Sequence, residues 1–523
     1  MKKKCFLAWA AGFIIAFMVG CNDMDNYSVS PNHLLSFSTD TLSFDTVFTT
    51  IGSTTGYFMI YNKNDEPLKI DKIILAGGRQ SGFRINVDGR KGDSFSEIPI
   101  WKNDSLFVAV EVTVDPNNDN TPFVIYDSVV FITNGRIQSV LLEAYGQNAH
   151  IMRNGVTFES DTTLSAEKPY LVYDSVMIPE GITVNIEKGA SFYMHKNGKW
   201  IINGTIKANG VQDEPVTFRG DRLNKLSTTI SYDNVSAQWN GLFFGALSFD
   251  NELNFAMIRN GISGLTFEES TPDKKKMEIK NSQVTNMDGN VLWAVNCHIE
   301  ASNTEFSNAS NYLVMLSGGK YQFTHCTMAN YMPSAMISNN NTRFAPSLTL
   351  ADNIVYVDED KNEDLHIFPL QEAFFDNCII DGRYITVDTT KKYSGEIMFS
   401  SENDYADGND EQFNYRFNHC VVKTKKVDNE RFNEVVFMES TKTESIIYIK
   451  SNEKIKDDKD SNYDYVFDFR LANESVGIGK ADYSISELYP TDRYGVSRLT
   501  TENGPSIGAY EHVPQKDKTD DEK

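Results

Sequence analysis

The sequence has little positive charge for its length and no basic stripe. Lysine and arginine together number 49, against 72 aspartates and glutamates, which leaves a formal net charge of −23. Such an acidic surface repels nucleic acid and anionic lipid, because both carry dense negative charge. Nucleic acid is therefore excluded as a partner.

Long apolar runs and helical periodicity are also missing after the first twenty residues. No later segment is long and apolar enough to span a membrane, and short apolar stretches alternate with polar residues instead. A chain of 523 residues is too long for one ordinary core, so we expect several domains or one elongated repeat domain. The body is predicted to be all-β.

The first residues have the proportions of an export signal. Lys2 to Lys4 precede an apolar stretch, Phe6 to Val19, which is too short to cross a bilayer comfortably. The run Met18-Val19-Gly20-Cys21 resembles a bacterial lipobox, which implies cleavage before Cys21 and acylation of its thiol and new amino group. A secretory signal that happens to contain a cysteine is the alternative.

The residues after Cys21 extend this interpretation. Asn22 to Asn26, polar and acidic, look like the surface-export signals of Bacteroidetes lipoproteins. We therefore predict a signal peptide at 1–20, a polar tether at 21–34, and a protein held in the outer membrane by lipid on Cys21. The resemblance implies that the body faces the cell exterior, and a periplasmic orientation stays open.

Residues 35–148 show a pattern of short strands. Val108 to Val114 places four valines on one face. Val129 to Ala144 contains two strand patterns around Asn134-Gly135, a pair that accepts the positive φ angles of a type I′ turn, so we predict a hairpin. The size fits an immunoglobulin-like sandwich, and Tyr57 to Asn62 resembles the Ig-like domains of Bacteroidetes surface lipoproteins.

A repeat with a period near 22 residues follows. Its marker is an Asn or His that comes two residues after an apolar side chain, and the residue after the marker is small or apolar. The marker positions are Asn281, Asn303, His325, Asn353, Asn377 and His419. Self-similarity at this period predicts a right-handed parallel β-helix over residues 155–512, with about a dozen coils stacked ~4.8 Å apart.

Stacked coils explain why three of the markers precede a cysteine. In that register Asn takes a left-handed turn conformation and hydrogen-bonds along the stack, while Cys326, Cys378 and Cys420 fill small inward positions. Counting 22 residues to a coil puts Cys326 and Cys420 roughly four coils or ~19 Å apart. Cys378 then lies about two coils from each, too far for a disulfide. His325 and Cys326 face opposite sides of the chain, so we predict neither a metal nor a redox site.

Segments at both ends of the repeat resemble a known family. The segments similar to the first coils of pectin-lyase-like parallel β-helix proteins from Bacteroidetes are 171–189, 200–210, 214–218, 239–244 and 253–261. Asp492 to Arg498 and Pro505 to Glu511 resemble the terminal motif of the same family. The resemblance covers roughly residues 160 to 512 and implies a fold rather than a chemistry, because β-helices serve as lyases, hydrolases, adhesins and inert stalks.

The catalytic patterns of that fold are absent from the sequence. Its polygalacturonan hydrolases carry Asn-Thr-Asp, Asp-Asp, Gly-His-Gly and Arg-x-Lys on consecutive coils, and the β-helix segment has no such succession. No coil offers the calcium-binding aspartates and basic residue of a pectate lyase. Paired carboxylates from neighbouring coils stay open. The triplet Asp381-Gly382-Arg383 is the first candidate, although a turn with glycine in a left-handed conformation explains it more simply.

Two acidic runs and two tryptophans are the remaining candidates for ligand contacts. The runs at 115–120 and 358–364 could bind calcium, but neither has the glycine and distal glutamate of an EF-hand loop. Trp200 and Trp239 could be sugar platforms, although the family pattern implies structural positions for both. No cofactor is predicted, and calcium is left open.

We expect a non-catalytic platform whose β-helix binds a polysaccharide or another surface protein, because a solenoid presents long repeated grooves. A polysaccharide lyase or glycoside hydrolase with an unrecognised site is one alternative, and a structural spacer is another. An acid and a base in one groove, with Lys or Arg beside them, would favour the enzyme. A run of exposed aromatics along one face would favour binding. Residues 513–523 are predicted to be a disordered tail, and the ligand is left unidentified.

Overall fold

The structure is a computed structural model in which the chain divides into two compact units, residues 1–148 and 149–523. It describes residues 26–117, 120–226, 230–333, 345–357, 360–383, 387–388, 394–401, 411–439, 446–451, 466–500 and 502–516. The predicted signal peptide and Cys21 lie outside the described residues. In the described part of the chain, no helix is long and apolar enough to cross a membrane.

The first unit is a β-sandwich. Its strands are β1 (Ser36–Phe37), β2 (Thr41–Phe48), β3 (Gly56–Tyr61), β4 (Leu68–Leu75), β5 (Phe83–Val87), β6 (Arg90–Gly92), β7 (Ser94–Ile100), β8 (Ser105–Val112), β9 (Phe123–Thr133) and β10 (Arg136–Gln147), with a 3-10 turn at Gly78–Gln80. Sheet S1 has the order β1-β3-β8-β5-β6 and sheet S2 the order β2-β10-β9-β4-β7. One hydrophobic cluster with side chains from both sheets forms the core.

Alternation decides which side chains of the sandwich enter this core. Val108, Val110 and Val112 of β8 are buried, whereas the residues between them are partly or fully exposed. The hairpin β9–β10 is confirmed: Thr133 pairs with Arg136, and both residues of the Asn134-Gly135 turn have positive φ. The sandwich is shown, whereas the finer assignment to the immunoglobulin-like class stays a prediction.

The predicted tether begins to pack earlier than expected. The Ser28 amide donates to the Pro67 carbonyl at 2.8 Å, and the Asn134 side chain donates to the Ser30 carbonyl at 3.0 Å. Residues 28–34 are therefore fixed to the sandwich, because these bonds tie the backbone down at two points. Residues 21–25 of the tether lie outside the described part of the chain.

The second unit is a parallel β-helix, as predicted. Its strands are β11 (His150–Met152), β12 (Val156–Thr157), β13 (Thr162–Leu164), β14 (Tyr170–Val172), β15 (Ser175–Ile178), β16 (Thr183–Ile186), β17 (Ser191–Met194), β18 (Lys199–Ile202), β19 (Thr205–Asn209), β20 (Val216–Gly220), β21 (Gly241–Phe244), β22 (Asn251–Asn254), β23 (Ala256–Arg259), β24 (Leu265–Phe267), β25 (Lys275–Lys280), β26 (Gln283–Met287), β27 (Leu292–Val295), β28 (His298–Ser302), β29 (Glu305–Ala309), β30 (Val314–Ser317), β31 (Gly319–Thr324), β32 (Thr327–Asn330), β33 (Leu348–Ala351), β34 (Asn353–Val357), β35 (Glu363–Ile367), β36 (Leu370–Asp376), β37 (Ile379–Gly382), β38 (Ile397–Ser400), β39 (Phe413–Asn418), β40 (Val421–Val422), β41 (Phe432–Asn433) and β42 (Val436–Phe437). A 3-10 turn lies at Tyr232–Asn234.

Three parallel sheets run along this solenoid. Sheet 1 is β11-β14-β17-β20-β23-β26-β29-β32-β37-β40-β42, sheet 2 is β12-β15-β18-β21-β24-β27-β30-β33-β38, and sheet 3 is β13-β16-β19-β22-β25-β28-β31-β36-β39-β41. Each coil passes through the three sheets in that order. Parallel crossovers of this kind are right-handed almost without exception.

The inward side chains stack on their counterparts in neighbouring coils. Phe323, Phe375, Phe417 and Phe432 form one aromatic column, with successive ring centroids 5.3, 4.9 and 5.0 Å apart and nearly parallel planes. These spacings follow from the strand spacing of ~4.8 Å, since each ring lies one coil above the last. The predicted columns of like residues are confirmed.

The marker residues form the predicted turn between sheet 3 and sheet 1. Asn281, Asn303, His325, Asn377 and His419 all have φ between 48° and 55°, the left-handed region that Asn tolerates best. The Asn303 amide donates to Asn281 Oδ1 at 3.2 Å, and the Asn377 amide to His325 Nε2 at 3.0 Å. The predicted left-handed turns are therefore confirmed, and the marker column, which we call the ladder, has hydrogen bonds along the stack between Asn281 and Asn303 and between His325 and Asn377.

Two details of the predicted register are wrong. Asn353 is not a marker, because it opens β34, which pairs with β35 as an antiparallel hairpin outside the coils. Cys326, Cys378 and Cys420 occupy consecutive coils, since β32, β37 and β40 are neighbours in sheet 1. The Cys326 amide lies 3.4 Å from the Cys378 sulfur. The long steps between these markers come from loops inserted within single coils, not from additional coils.

The coils end earlier than the predicted limit at residue 512. After β42 come β43 (Tyr448–Ser451) and β44 (Phe467–Leu471), an antiparallel pair, and the helix α1 (Tyr483–Leu488). Together with residues 472–500 and 502–512 they form a C-terminal layer whose apolar side chains pack on the outward residues Ala329, Ile379 and Val421 of sheet 1. The predicted tail also starts later, because Gln515 hydrogen-bonds to Asn473, and residues 517–523 lie outside the described part.

Candidate functional site

The outer face of sheet 2 carries an apolar stripe. The outward positions of successive strands pair in register as Met177, Ile201, Phe243, Thr266, Trp293, Met315, Thr349 and Met398. Six of these eight side chains are apolar, and all but Thr349 are partly or fully exposed. We name this column the apolar stripe, because partly exposed apolar side chains recur along it from coil to coil.

Trp293 is the centre of the apolar stripe. Its neighbours in the strand, Leu292 and Ala294, are fully buried, because alternate side chains of β27 point to opposite sides of the sheet. The Trp293 ring meets Tyr312 edge to face, with centroids 6.0 Å apart. This contact holds the indole in place while part of its surface stays open to solvent.

The outer face of sheet 3 carries charged side chains beside an open groove of about 620 Å³. Glu278, Lys280 and Glu300 line this groove together with Leu488 to Thr491 of the C-terminal layer. Lys275 Nζ lies 2.9 Å from Glu300 Oε2 and 3.6 Å from Glu278 Oε1. Lys280 Nζ lies 3.0 Å from the other oxygen of Glu278, and His298 Nε2 lies 3.2 Å from Glu300 Oε1. We call this network the ionic groove.

The electrostatics of the ionic groove keep Lys275 and Glu300 charged. Partial burial alone would raise the pKa of Glu300, but the hydrogen bond and charge of Lys275 outweigh it, so the pKa lies below its ordinary value. Burial likewise opposes the charge of Lys275, and its bond to Glu300 still raises the pKa of the ammonium. Proton transfer requires a group that changes its charge near neutral pH, and neither partner meets that need.

The triplet Asp381-Gly382-Arg383 is not an open site. Asp381 is buried beneath the C-terminal layer, where it accepts a hydrogen bond from the Tyr331 hydroxyl at 2.7 Å, and burial raises the pKa of its carboxyl. Gly382 ends strand β37 without positive φ, so the expected left-handed glycine turn is wrong. Arg383 is exposed. The carboxyl group is a satisfied structural acid.

The other predicted candidates are internal. Trp200 and Trp239 are fully buried, and the Trp239 indole donates to the Arg259 carbonyl at 2.8 Å, so neither is a sugar platform. Cys326, Cys378 and Cys420 are also fully buried. Desolvation raises the pKa of Cys378 well above its ordinary value, which keeps that thiol protonated and a poor metal ligand.

Calcium binding by the two acidic runs stays a prediction. Residues 118–119 and 358–359 of the two acidic runs lie outside the described part of the chain. Within the described part, no group of three or more His, Cys, Asp or Glu side chains is placed to hold a metal ion.

Phe243 and Trp293 were not predicted from the sequence as candidate ligand contacts. Each occupies the outward position of a strand with apolar residues on both faces, Gly241–Phe244 and Leu292–Val295. Their signal is an apolar residue out of phase with the inward residues. That signal can be recognised only when neighbouring coils are aligned strand by strand.

Comparisons with known proteins do not assign a function to these surfaces. No protein-family model matches the sequence, and the search of curated proteins finds no match. The catalytic domain of a family GH87 α-1,3-glucanase in complex with nigerose aligns at 9% identity and a TM-score of 0.23, over 73% of this chain and 88% of that one. At that score the likeness carries no argument about activity.

Two further solved structures align over the smaller part of this chain. A family 123 glycoside hydrolase from Clostridium perfringens aligns at 8% identity and a TM-score of 0.17, over 23% of this chain and 30% of that one. A protein of unknown function from Porphyromonas gingivalis W83 aligns at 11% identity and a TM-score of 0.17, over 25% of this chain and 59% of that one. The chain thus spans less than two thirds of either protein, and neither score carries an argument.

Proposed function

We propose that this protein is a cell-surface lipoprotein whose β-helix binds an extended glycan without cutting it. The apolar stripe is the observation that carries the proposal. It presents Phe243 and Trp293 on one face of a rigid sheet, with Met315 and Met398 further along. Aromatic and apolar side chains of this kind line most ligand sites in proteins.

The regular spacing of the stripe suits a polymer better than a compact ligand. Each coil repeats the same outward position at ~4.8 Å, so successive contacts lie along a straight line. A polysaccharide has an apolar ring face in each sugar unit and can meet several of these contacts at once. A solenoid face is well adapted to such a repeated ligand.

The ionic groove brings acidic and basic side chains together, as the active site of an enzyme would require. The direction of their pKa shifts nevertheless favours binding over catalysis. Hydrolysis by two carboxyl groups requires one of them to keep a proton and so have a raised pKa. In the ionic groove the pKa of Glu300 is lowered instead. A lyase requires a basic group that loses its proton, whereas the pKa of Lys275 is raised.

The location is part of the same proposal. Cleavage before Cys21 and acylation of its amino group and thiol would anchor the chain in the outer membrane, with the body facing the cell exterior. Stable anchoring needs more than one acyl chain, which a lipidated N-terminal cysteine supplies. The glycan would then be met outside the cell.

The test uses soluble chain from Asn22 onward in affinity electrophoresis through acidic and neutral polysaccharides. We expect retention on at least one polymer, and Trp293→Ala should weaken it about tenfold, near 1.4 kcal/mol. Trp101→Ala is the matched control, because Trp101 is 41% exposed in the sandwich. Its retention should equal that of the unchanged chain.

Product formation is measured in parallel through reducing ends and the absorbance of unsaturated uronates. Release of either product would overturn the non-catalytic proposal. Equal retention of the Trp293→Ala variant and the unchanged chain would show that the apolar stripe is not the binding surface. Absence of retention on every polymer would favour a structural spacer.

A further inference from the structure

The chain enters the sandwich at one end, and apolar side chains are exposed there. Three connections form this end: residues 62–67 between β3 and β4, residues 101–104 between β7 and β8, and the turn Asn134-Gly135 between β9 and β10. Residues 27–34 run across these connections. We call this part of the sandwich the entry end.

Hydrogen bonds and a ring contact hold the entering segment on the three connections. The Ser30 carbonyl accepts from the side chain of the β9–β10 turn at 3.0 Å. The Leu34 carbonyl accepts from the Asn64 side chain, also at 3.0 Å. The ring of Tyr27 lies 6.1 Å from that of Trp101, centroid to centroid. The segment and the connections therefore form one continuous surface.

Four apolar side chains of the entry end are open to solvent. Val29 is 86% exposed and Ile137, just after the turn, is 72% exposed, while Trp101 and Leu34 are exposed to a smaller extent. Other exposed apolar residues lie elsewhere on the sandwich, such as Tyr126 of β9. Exposure alone therefore does not single out this surface, and its position in the chain supplies the further argument.

The distance to Cys21 limits where the entry end can be. Cys21 and Tyr27 are six residues apart in the sequence, and an extended chain spans at most about 3.6 Å per residue, which gives about 22 Å. Acyl chains on Cys21 would therefore hold the entry end close to the membrane surface. At so short a tether the effective concentration of the membrane is high, and weak contacts suffice for docking.

The charged side chains of the entry end are paired with each other. Lys102 Nζ lies 3.3 Å from Asp65 Oδ1, and Lys69 forms an ion pair with Glu97. Paired charges give the surface little attraction for anionic lipid. Apolar side chains are favoured at a lipid surface whatever its charge, and rings such as that of Trp101 suit the headgroup region, because they combine an apolar body with a polar group.

We propose that the entry end docks on the lipid surface in which Cys21 is anchored, with Val29, Trp101 and Ile137 in the headgroup region. The proposal rests on the lipidation of Cys21, which is part of the proposed function. Docking adds a second attachment to that of the acyl chains and turns this end of the sandwich toward the membrane. The alternative occupant of the surface is a second copy of the chain.

The experiment replaces the acyl chains by an artificial tether. The chain from Asn22, with an N-terminal hexahistidine tag, is bound to dioleoylphosphatidylcholine vesicles that contain a nickel-chelating lipid. Tryptophan emission is then compared with and without brominated phosphatidylcholine, which quenches indoles that enter the lipid. We expect a loss of emission that Trp101→Phe abolishes, because Trp200 and Trp239 are fully buried in the β-helix.

Further variants test the apolar contacts. Val29→Ser and Ile137→Ser should each reduce the loss of emission about threefold, because each removes apolar area from the contact. Tyr126→Ser is the matched control, since Tyr126 is also largely exposed but lies ~27 Å along β9 from Asn134, at ~3.4 Å per residue. Its loss should equal that of the unchanged chain. High salt should leave the loss unchanged, because screening acts on charges.

Several results would overturn the proposal. These are no loss of emission from the tethered chain, an equal loss in Trp101→Phe, equal quenching in Val29→Ser and Ile137→Ser, and a loss that high salt abolishes. Sedimentation of the free chain tests the alternative occupant, and a dimer that Ile137→Ser dissociates would assign the surface to a second copy instead.

Failure of docking and failure of the proposed function can be told apart. The nickel tether needs no acylation, so the vesicle experiment does not depend on lipidation of Cys21. Lipidation is measured separately, by labelling the complete chain and its Cys21→Ser variant with palmitate in cells. Trp293→Ala should dock normally, because the apolar stripe lies in the other unit.

Discussion

Removing the side chain of Asn303 should detach the C-terminal layer from the β-helix. Asn303 Nδ2 donates to Asn281 Oδ1 at 3.2 Å and to the Thr491 carbonyl at 3.0 Å, and Asn303 Oδ1 accepts from Arg498 at 3.1 Å. The residue is buried, with φ at +48°. One side chain thus joins the ladder, the turn and the C-terminal layer.

The expected cost follows from these contacts. Two neutral hydrogen bonds contribute about 1 kcal/mol each, and the bond from the buried Arg498 guanidinium about 1.5–3 kcal/mol. Alanine at positive φ adds about 1 kcal/mol of strain. Because such terms do not add fully, Asn303→Ala should lower the free energy of unfolding of the second unit by about 3–5 kcal/mol.

Two matched variants separate the contributions. Asn303→Gly loses the same hydrogen bonds but tolerates positive φ, so it should be about 1 kcal/mol more stable than Asn303→Ala. Asn303→Asp keeps the acceptor for Arg498 and should be the mildest of the three. Urea unfolding measures the free energies, and hydrogen exchange across residues 486–511 tests whether the C-terminal layer opens first. Unchanged exchange in Asn303→Ala, or an aspartate variant weaker than alanine, would refute the reasoning.

Two further predictions concern buried rings of the β-helix. Phe375→Ala should lower the free energy of unfolding by about 3–5 kcal/mol, because Phe375 is fully buried between Phe323 and Phe417. In the control variant, Phe107→Ala, urea unfolding should show a loss of less than about 1 kcal/mol, because Phe107 is 40% exposed. Burial, with Arg498 nearby, lowers the pKa of His325 well below 6.5, so the unfolded chain binds a proton at this residue that the folded chain does not bind. The free energy of unfolding should therefore fall as the pH drops below about 6.5, by up to about 2 kcal/mol at pH 5. His325→Asn, the usual residue of the ladder, should remove that pH dependence in urea unfolding at pH 7 and 5, and an unchanged slope would contradict it.

The fold could be predicted from the sequence because its signals repeat. Markers such as Asn281 and Asn303, one coil apart, each combine a left-handed turn with inward apolar neighbours, and the structure has both features. The predicted total of about a dozen coils is close to the eleven described strands of sheet 1, whereas the predicted number of coils between Cys326 and Cys420 is wrong, because the marker spacing there exceeds 22 residues. Loops such as the β34–β35 hairpin lengthen a coil without adding one, since longer loops cost little entropy. A residue count therefore cannot distinguish a long coil from two short ones.

The candidate sites were harder to predict, because both depend on which side chains face outward. Lys199-Trp200-Ile201-Ile202 is apolar at three adjacent positions, and only packing shows that Trp200 points in and Ile201 out. Alternation gives two faces but does not say which is the core when both are apolar.

The ladder and the C-terminal layer together decide which face of the β-helix is available to a ligand. From β29 onward the outer face of sheet 1 is occupied, since Glu305 bonds to Tyr510, Thr327 accepts from the Ala509 amide, and Asn377 accepts from the Asp482 amide. Sheet 3 presents charges that already neutralise each other. Among the described residues of sheet 2, partly exposed apolar side chains recur along the outer face from Met177 to Met398. Because exposed apolar surface is unfavourable unless something covers it, the apolar stripe is where a ligand would contribute most to binding.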